Sequence, residues 1–208
     1  DIEIQIASRG GWDIFGPERV ITKSQGNILY EIDHQPALSL YKEYLGDKAA
    51  ELPASGLLFP LQISPPNHPE TRLVRTILSI SEEDKSLIFA GDIPEGWSAQ
   101  LMRANFDRII DGAGQAVTAA HKGMQDHEEP ELVIAVSCVG RRLVLGERTA
   151  EELEAIGMDL SSQANIIGFY SYGELAPTVK DGPCELHNQS MTTLIVREHL
   201  KVSMRKAG

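Results

Sequence analysis

The chain has 208 residues, of which 42% are hydrophobic, so it is long enough to bury a substantial core. Its 19 basic and 30 acidic side chains give a net charge of −11, which argues against a protein that binds nucleic acid or an anionic membrane, because both need a basic surface. Two cysteines, Cys138 and Cys184, are too few for a disulfide scaffold, and their spacing is not that of a metal site. This favours a reducing, cytoplasmic environment.

Nothing in the sequence predicts a membrane anchor. No stretch approaches the roughly 20 apolar residues of a membrane span, and the acidic start of the chain is unlike a signal peptide. Because the chain lacks an initiator methionine and begins inside a strand-like pattern, we expect it to be a fragment of a longer protein.

The first hundred residues show mainly the two-residue period of β-strands. Strands are expected at residues 2–6, 19–22, 27–32, 56–63, 72–79, 87–90 and 98–102. Gly26 predicts a hairpin turn, and a short helix is expected with Asp33 as N-cap, Pro36 in its first turn and Gly46 at its end. Because neighbouring strands tend to pair, we expect an antiparallel meander.

From residue 102 the apolar period becomes helical as far as Met124. Gly112 and Gly114 interrupt this helix in a way that would allow close packing, and an acidic loop follows at 125–130. The continuous apolar run 132–136 is typical of a central strand. Further elements are a helix at 140–145, a helix from a Thr149–Glu152 capping box to Gly157, strands at 166–172 and 189–196, and a basic tail at 197–208. The sequence predicts a mixed α/β fold of the α+β type, with a largely antiparallel sheet and a few helices.

The first segment that could bind a ligand is residues 137–142, where a buried strand meets the start of a helix. Backbone N–H groups there bind anions, and Arg141 and Arg142 would add a fork for a carboxylate or phosphate. The alternatives are an ordinary turn with solvated arginines, or pairing of these arginines with Glu174 or Glu185.

The second segment is residues 168–177. Tyr170 and Tyr172 share one strand face beside Gly173, and Glu174 follows at the end of the strand. Paired tyrosines offer flat apolar walls with hydroxyl tips, which suit a small polar ligand. Two core tyrosines with satisfied hydroxyls are the alternative.

The third segment is residues 184–189, which contains Cys184, His187 and Asn188. A cysteine and a histidine invite a nucleophilic role, but a flat strand places residues three apart on opposite faces, and nothing completes a triad. A His/Asn pair that lines a pocket, or a buried structural histidine, explains the segment better. His121 and His127 near a helix end lack the second ligand cluster that a metal site needs.

In these three segments the sequence resembles the FIST family of sensory domains. The resemblance is carried by CVGRRLVLG at 138–146, GFYSYGELAP at 168–177 and CELHNQSM at 184–191, with support from residues 30–46 and FAGDIP at 89–94. It implies that residues 1–35 end the N-terminal FIST half, that 36–200 form the C-terminal FIST domain, and that 201–208 are a tail. Much of the N-terminal half is then absent.

The resemblance implies an intracellular, non-enzymatic domain that binds a small ligand, such as an amino acid. Its partner would be a signalling protein such as a histidine kinase, a cyclic-di-GMP enzyme or a chemotaxis receptor. No cofactor or metal is expected, but a haem-binding nitric oxide sensor with a histidine ligand such as His187 is an alternative. A thiol-dependent enzyme using Cys138 or Cys184 is a further alternative. The ligand-binding residues that we predict are Arg141, Arg142, Tyr170, Tyr172, Glu174, Cys184, His187 and Asn188.

Overall fold

The described residues form two large β-sheets that differ in shape, and a separate two-stranded hairpin. The computed structural model describes residues 1–124, 130–158, 160, 164–178 and 182–198. The strands are β1 Ile2–Arg9, β2 Asp13–Gln25, β3 Ile28–Ile32, β4 Gln35–Pro36, β5 Leu61–Ser64, β6 Leu73–Arg75, β7 Ile77–Ser81, β8 Ser86–Phe89, β9 Ser98–Arg103, β10 Leu132–Cys138, β11 Asn165–Ser171, β12 Glu174–Pro177, β13 Cys184–His187 and β14 Met191–Glu198. The helices are α1 Ala37–Leu45, α2 Phe106–Lys122, α3 Val139–Leu145 and α4 Thr149–Met158, with short 3-10 helices at Gly46–Glu51, Ala54–Leu58 and Gly146–Arg148.

The larger sheet is antiparallel and curls until its two ends meet. Its strand order is β6-β5-β9-β2-β3-β8-β7, with β4 paired to β3. β6 and β7 lie at opposite ends of this strand order, yet only Thr76 separates them in the sequence. The chain therefore turns a corner at Thr76 and passes from one edge of the sheet to the other. The curled sheet encloses a core with α1 packed on it; its fully buried side chains include Ile21, Leu29, Leu38, Ile63, Leu87 and Phe89.

The smaller sheet has the order β1-β14-β10-β11. β10 runs parallel to β11, and the other neighbours are antiparallel. Helix α2 covers one face, where Ala113, Val117 and Ala120 pack with Val133 and Ile195. Helix α4 packs against α2 and is therefore held on the same side of the sheet.

Helix α2 shows how the local sequence fixes this layer. Asn105 caps it, with its side-chain oxygen accepting from the Arg108 N–H at 3.3 Å. A Cβ at Gly112 would lie 2.7 Å from the Gly10 carbonyl oxygen, and one at Gly114 would lie 3.0 Å from the Ala155 carbonyl oxygen. Both glycines therefore permit the close packing that the sequence predicted.

The β12–β13 hairpin joins the two sheets. The Arg75 guanidinium donates to the Leu186 carbonyl at 2.8 Å, and the Thr76 N–H donates to Asn188 Oδ1 at 3.3 Å. The Gln189 amide donates to the Leu57 carbonyl at 3.0 Å. These bonds tie the segment after β13 to the corner of the curled sheet.

The mixed α/β fold class is confirmed, as are the first hairpin, α2, the central strand β10 and the end of α1 at Gly46. The expected meander is wrong, because β9 inserts between β5 and β2.

Three local expectations are also corrected. Asp33 is not an N-cap: it has a positive φ, its carboxylate accepts from the Val20 N–H, and Pro36 occupies the cap position of α1. The expected strand at 56–63 begins only at Leu61, after a 3-10 helix. The expected strand at 72–79 is divided at Thr76. The acidic loop at 125–129, Asp126 and His127 within it, and the tail from 199 onward lie outside the described residues.

Candidate functional site

An apolar groove lies between α4 and the edge strand β11, on the helix-covered side of the smaller sheet. Its volume is about 390 Å³, within the range of small-molecule sites. Its lining residues are Ala135, Ser137, Glu152, Leu153, Ile166, Ile167, Gly168, Phe169, Tyr170 and Met191. The groove therefore combines mostly apolar walls with a few polar groups, which is the composition of a ligand pocket.

The floor of the groove contains a buried ion pair. Arg141 Nε donates to Glu152 Oε1 at 2.6 Å, and both side chains are almost completely buried. The same guanidinium donates to the carbonyls of Ile109, at 2.5 Å, and Gly10. Ser137 Oγ lies 3.4 Å from Glu152 Oε2. Arg141 thus holds α2, α3, α4 and the loop after β1 together.

This geometry corrects the expected role of Arg141. Its partner is Glu152 and not Glu174 or Glu185, and its donors are directed at protein acceptors. Glu152 was expected only in a capping box, whereas it is turned inward on the side of α4 that buries Ile156. An anion at this turn would therefore depend on Arg142.

Tyr170 lines the groove at its polar rim, and Arg142, which is not itself a lining residue, lies over the Tyr170 ring. The Arg142 guanidinium carbon lies 5.0 Å from the centre of the Tyr170 ring, a cation–π distance. Burial raises the pKa of the Tyr170 hydroxyl, so this group stays protonated at neutral pH. Arg142 itself is exposed and can meet an acidic group of a ligand. Tyr172 does not join this rim, because it lies beyond β11 and is 89% exposed.

Glu174 belongs to a second polar cluster at the start of β12. Ser171 Oγ donates to its Oε1 at 2.5 Å, and Ser190 Oγ donates to its Oε2 at 2.8 Å. Burial raises the pKa of the Glu174 carboxyl despite these hydrogen bonds. The carboxylate is enclosed by the protein, and it does not line the groove.

His187 and Asn188 are also enclosed. His187 Nε2 lies 3.0 Å from the Ala176 carbonyl oxygen, and because a carbonyl only accepts, Nε2 carries the proton. Burial lowers the pKa of this imidazole, so it is neutral at pH 7. Asn188 accepts from the Thr76 N–H in the joint between the sheets. Cys184 is exposed at the far end of the same hairpin, opposite Pro177.

These placements divide the predicted site residues into two groups. Arg142 and Tyr170 meet at the groove, with Arg141 beneath it, whereas Glu174, His187 and Asn188 lie in the β12–β13 joint. Sequence reasoning missed most of the groove walls, which come from Ala135, Ser137, Leu153, Ile166 and Met191; Ile167 and Phe169 border the groove, although their side chains alternate to the opposite face of the sheet. The four-residue spacing of Glu152 and Ile156 was the one signal that placed a carboxylate on the inner side of α4.

His187 is enclosed in the β12–β13 joint and does not line the groove; its Nε2 proton is donated to the Ala176 carbonyl, which leaves Nδ1 as the ring nitrogen with a lone pair. None of the four described histidines, His34, His68, His121 and His187, lines the groove. Within the same described ranges, no cluster of three or more His, Cys, Asp or Glu side chains could hold a metal ion.

The Cys138 thiol is a poor nucleophile in this environment. It is buried, and burial together with nearby Glu174 raises its pKa. A nucleophilic cysteine requires a thiolate, which a raised pKa disfavours.

Comparison with known families agrees with two of the three sequence segments, 138–146 and 168–177, whereas 184–191 lies beyond the matched residues. The FIST C domain model matches residues 37–177, and the FIST N domain model matches residues 1–35. Comparisons with curated proteins and with solved structures gave no match. No helix in the described part of the chain is long and apolar enough to cross a membrane. FIST domains are sensory domains of signalling proteins. Because the FIST C match alone spans more than half of the chain, the protein belongs to the FIST family.

Proposed function

We propose that this FIST domain is a non-enzymatic cytoplasmic sensor that binds a small molecule in the groove between α4 and β11. The observation that carries the proposal is the groove itself, with about 390 Å³ of space, mostly apolar walls and polar groups at its floor and rim. A partner signalling protein, such as a histidine kinase, a cyclic-di-GMP enzyme or a chemotaxis receptor, would respond to the bound state.

The polar groups favour an amino acid with an apolar side chain. Its carboxylate would bind Arg142, whose guanidinium lies over Tyr170 at the rim. Its ammonium group would approach Ser137 and Glu152, which line the groove together with the polar Tyr170. Its side chain would pack against Leu153, since apolar contact supplies most of the binding energy in such sites.

The proposal is tested by a thermal-shift screen of an amino-acid panel with matched variants. Leu153→Trp fills the groove from its rim, and Leu143→Trp is the control, because Leu143 is a similarly exposed leucine on α3. We expect a ligand that stabilises the parent and Leu143→Trp but not Leu153→Trp. Failure of the whole panel, or equal stabilisation of Leu153→Trp, would contradict an amino-acid site in the groove.

Arg142→Lys tests the orientation of the ligand by isothermal titration. A lysine keeps the charge but loses the planar fork, so we expect affinity for the ligand to fall about tenfold, or about 1.4 kcal/mol. Arg103→Lys is the control, because Arg103 also stacks on an aromatic ring, that of Phe15, away from the groove. Unchanged affinity in Arg142→Lys would remove Arg142 from the site.

A further inference from the structure

The smaller sheet has a second face that α2 does not cover. Alternate residues of its four strands point to this face, and the strand registers align them in rows. The apolar members are Ile2, Ile4, Ile6, Leu132, Ile134, Val136, Ile167, Phe169, Leu194 and Val196. Ile4 is 56% exposed, Ile167 is 55% exposed and Phe169 is 62% exposed. A contiguous apolar patch of this kind marks an interaction surface.

The parallel pair β10–β11 makes this exposure more unusual. Parallel strands are found in sheets that are covered on both faces, and here the covered face buries Val133 and Ala135, whereas Ile134 and Val136 remain partly exposed. The β12–β13 hairpin reaches only the end of the uncovered face, where β12 contacts β1 and β10. The centre of the face lacks a partner among the described residues.

We propose that two copies of this chain pack through this face, sheet against sheet. Charge favours a second copy as the occupant. The chain carries a net charge of −11, so two copies repel over most of their surface. On this face the strands carry one charged side chain within the described ranges, Glu198, and it lies at the end of β14. The copies therefore meet where their repulsion is weakest.

Shape and size agree with this occupant. Aligned sheets pack about 10 Å apart through alternating apolar side chains, and a two-fold axis lets the same residues serve both partners. Four strands about 4.8 Å apart, each with about seven residues, give a flat area of roughly 450 Å² per copy. This area leaves out the extra surface of the protruding side chains. Two such faces give roughly 900 Å² in total, which is the size of a weak, concentration-dependent interface.

The test compares the parent with Ile167→Lys and Phe169→Lys by light scattering coupled to size exclusion, at concentrations between about 1 and 100 μM. Both substitutions place a charge within the apolar face, on the edge strand β11 and on side chains that are already exposed, so the fold is expected to survive. Leu78→Lys is the matched control, because Leu78 is an exposed apolar strand residue, 57% accessible, in the other sheet. Circular dichroism checks that all variants fold.

We expect the parent and Leu78→Lys to have twice the 22.8 kDa mass of the chain. Ile167→Lys and Phe169→Lys should have the mass of a monomer, with a dissociation constant raised at least tenfold. A monomeric parent would overturn the proposal and leave the face to a different partner. The proposal also fails if the parent forms only polydisperse aggregates, or if both face variants remain dimeric. None of these outcomes depends on a ligand, so they are separate from the test of the groove.

Discussion

Arg141 and Glu152 form an ion pair that is closed to solvent, with side-chain exposures of 0% and 1%. The pair links α3 to α4 beneath the candidate groove, and the remaining donors of Arg141 bind carbonyls of α2 and of the loop after β1. Such a pair gains its stability only as a complete unit, because each charge alone would be costly to bury. The groove floor therefore depends on both partners.

Glu152→Leu should destabilise the protein by about 3–5 kcal/mol, because it leaves the buried Arg141 charge unpaired. Urea unfolding measures the change. Glu151→Leu is the control, since Glu151 is the neighbouring residue and pairs with Arg148 at the surface. We expect little change in its unfolding midpoint, and an equally small effect of Glu152→Leu would contradict the role of the pair.

Glu174 should make the protein less stable as the pH rises. Its pKa in the folded state is raised by burial above the ordinary value of 4.5, so the folded state holds the proton more tightly than the unfolded state does. This contribution is fully present below pH 4.5 and is lost as the pH rises through the folded pKa. Glu174→Gln keeps the shape and removes the titration. The difference in unfolding free energy between parent and variant should therefore change with pH above 4.5, and a constant difference would contradict the prediction.

His187 should act in the opposite direction. Burial and the nearby charge of Arg75 lower its pKa below the ordinary value of 6.5, against the opposing effects of the Ala176 hydrogen bond and of Glu185. Its contribution to stability is present above pH 6.5 and is lost as the pH falls through the folded pKa. His187→Gln retains a donor for the Ala176 carbonyl and does not titrate. We expect a smaller loss of thermal stability between pH 7 and pH 5 in this variant, and an unchanged loss would show that other groups titrate.

The two cysteines should differ in reactivity. Cys184 is exposed, whereas Cys138 is buried with a raised pKa, so a thiol reagent at neutral pH should label one thiol of the native protein rapidly. Cys184→Ser should then be unreactive until it is unfolded. Rapid labelling of Cys138 in the native Cys184→Ser variant would revive the hypothesis of a thiol enzyme.

The elements that the sequence predicted correctly are those whose apolar period is regular. Strand β10 is a continuous apolar run in the centre of its sheet, and α2 repeats its apolar residues over four turns. The missed features depend on distant partners. β6 and β7 are separated at Thr76 because Asn188 and Leu186, more than a hundred residues later, bind the backbone of Thr76 and the side chain of Arg75.

The candidate site was predicted only in part for the same reason. Arg142 and Tyr170 were predicted to bind a ligand and lie together beside the groove, but the groove is made by α4 packing beside β11, and local patterns do not encode that contact. Glu152 was assigned to a capping box because Thr149 precedes it by three residues. Its actual partner, Arg141, lies on a different helix.

Methyl NMR of the parent protein, titrated with the ligand from the thermal-shift screen, tests most directly whether the groove binds a small molecule. We expect the largest shifts at the groove methyls of Ala135, Leu153, Ile166 and Met191. Methyls of the β12–β13 joint, such as those of Leu186, should change little. Shifts concentrated at the joint, with none at the groove, would contradict the proposed site.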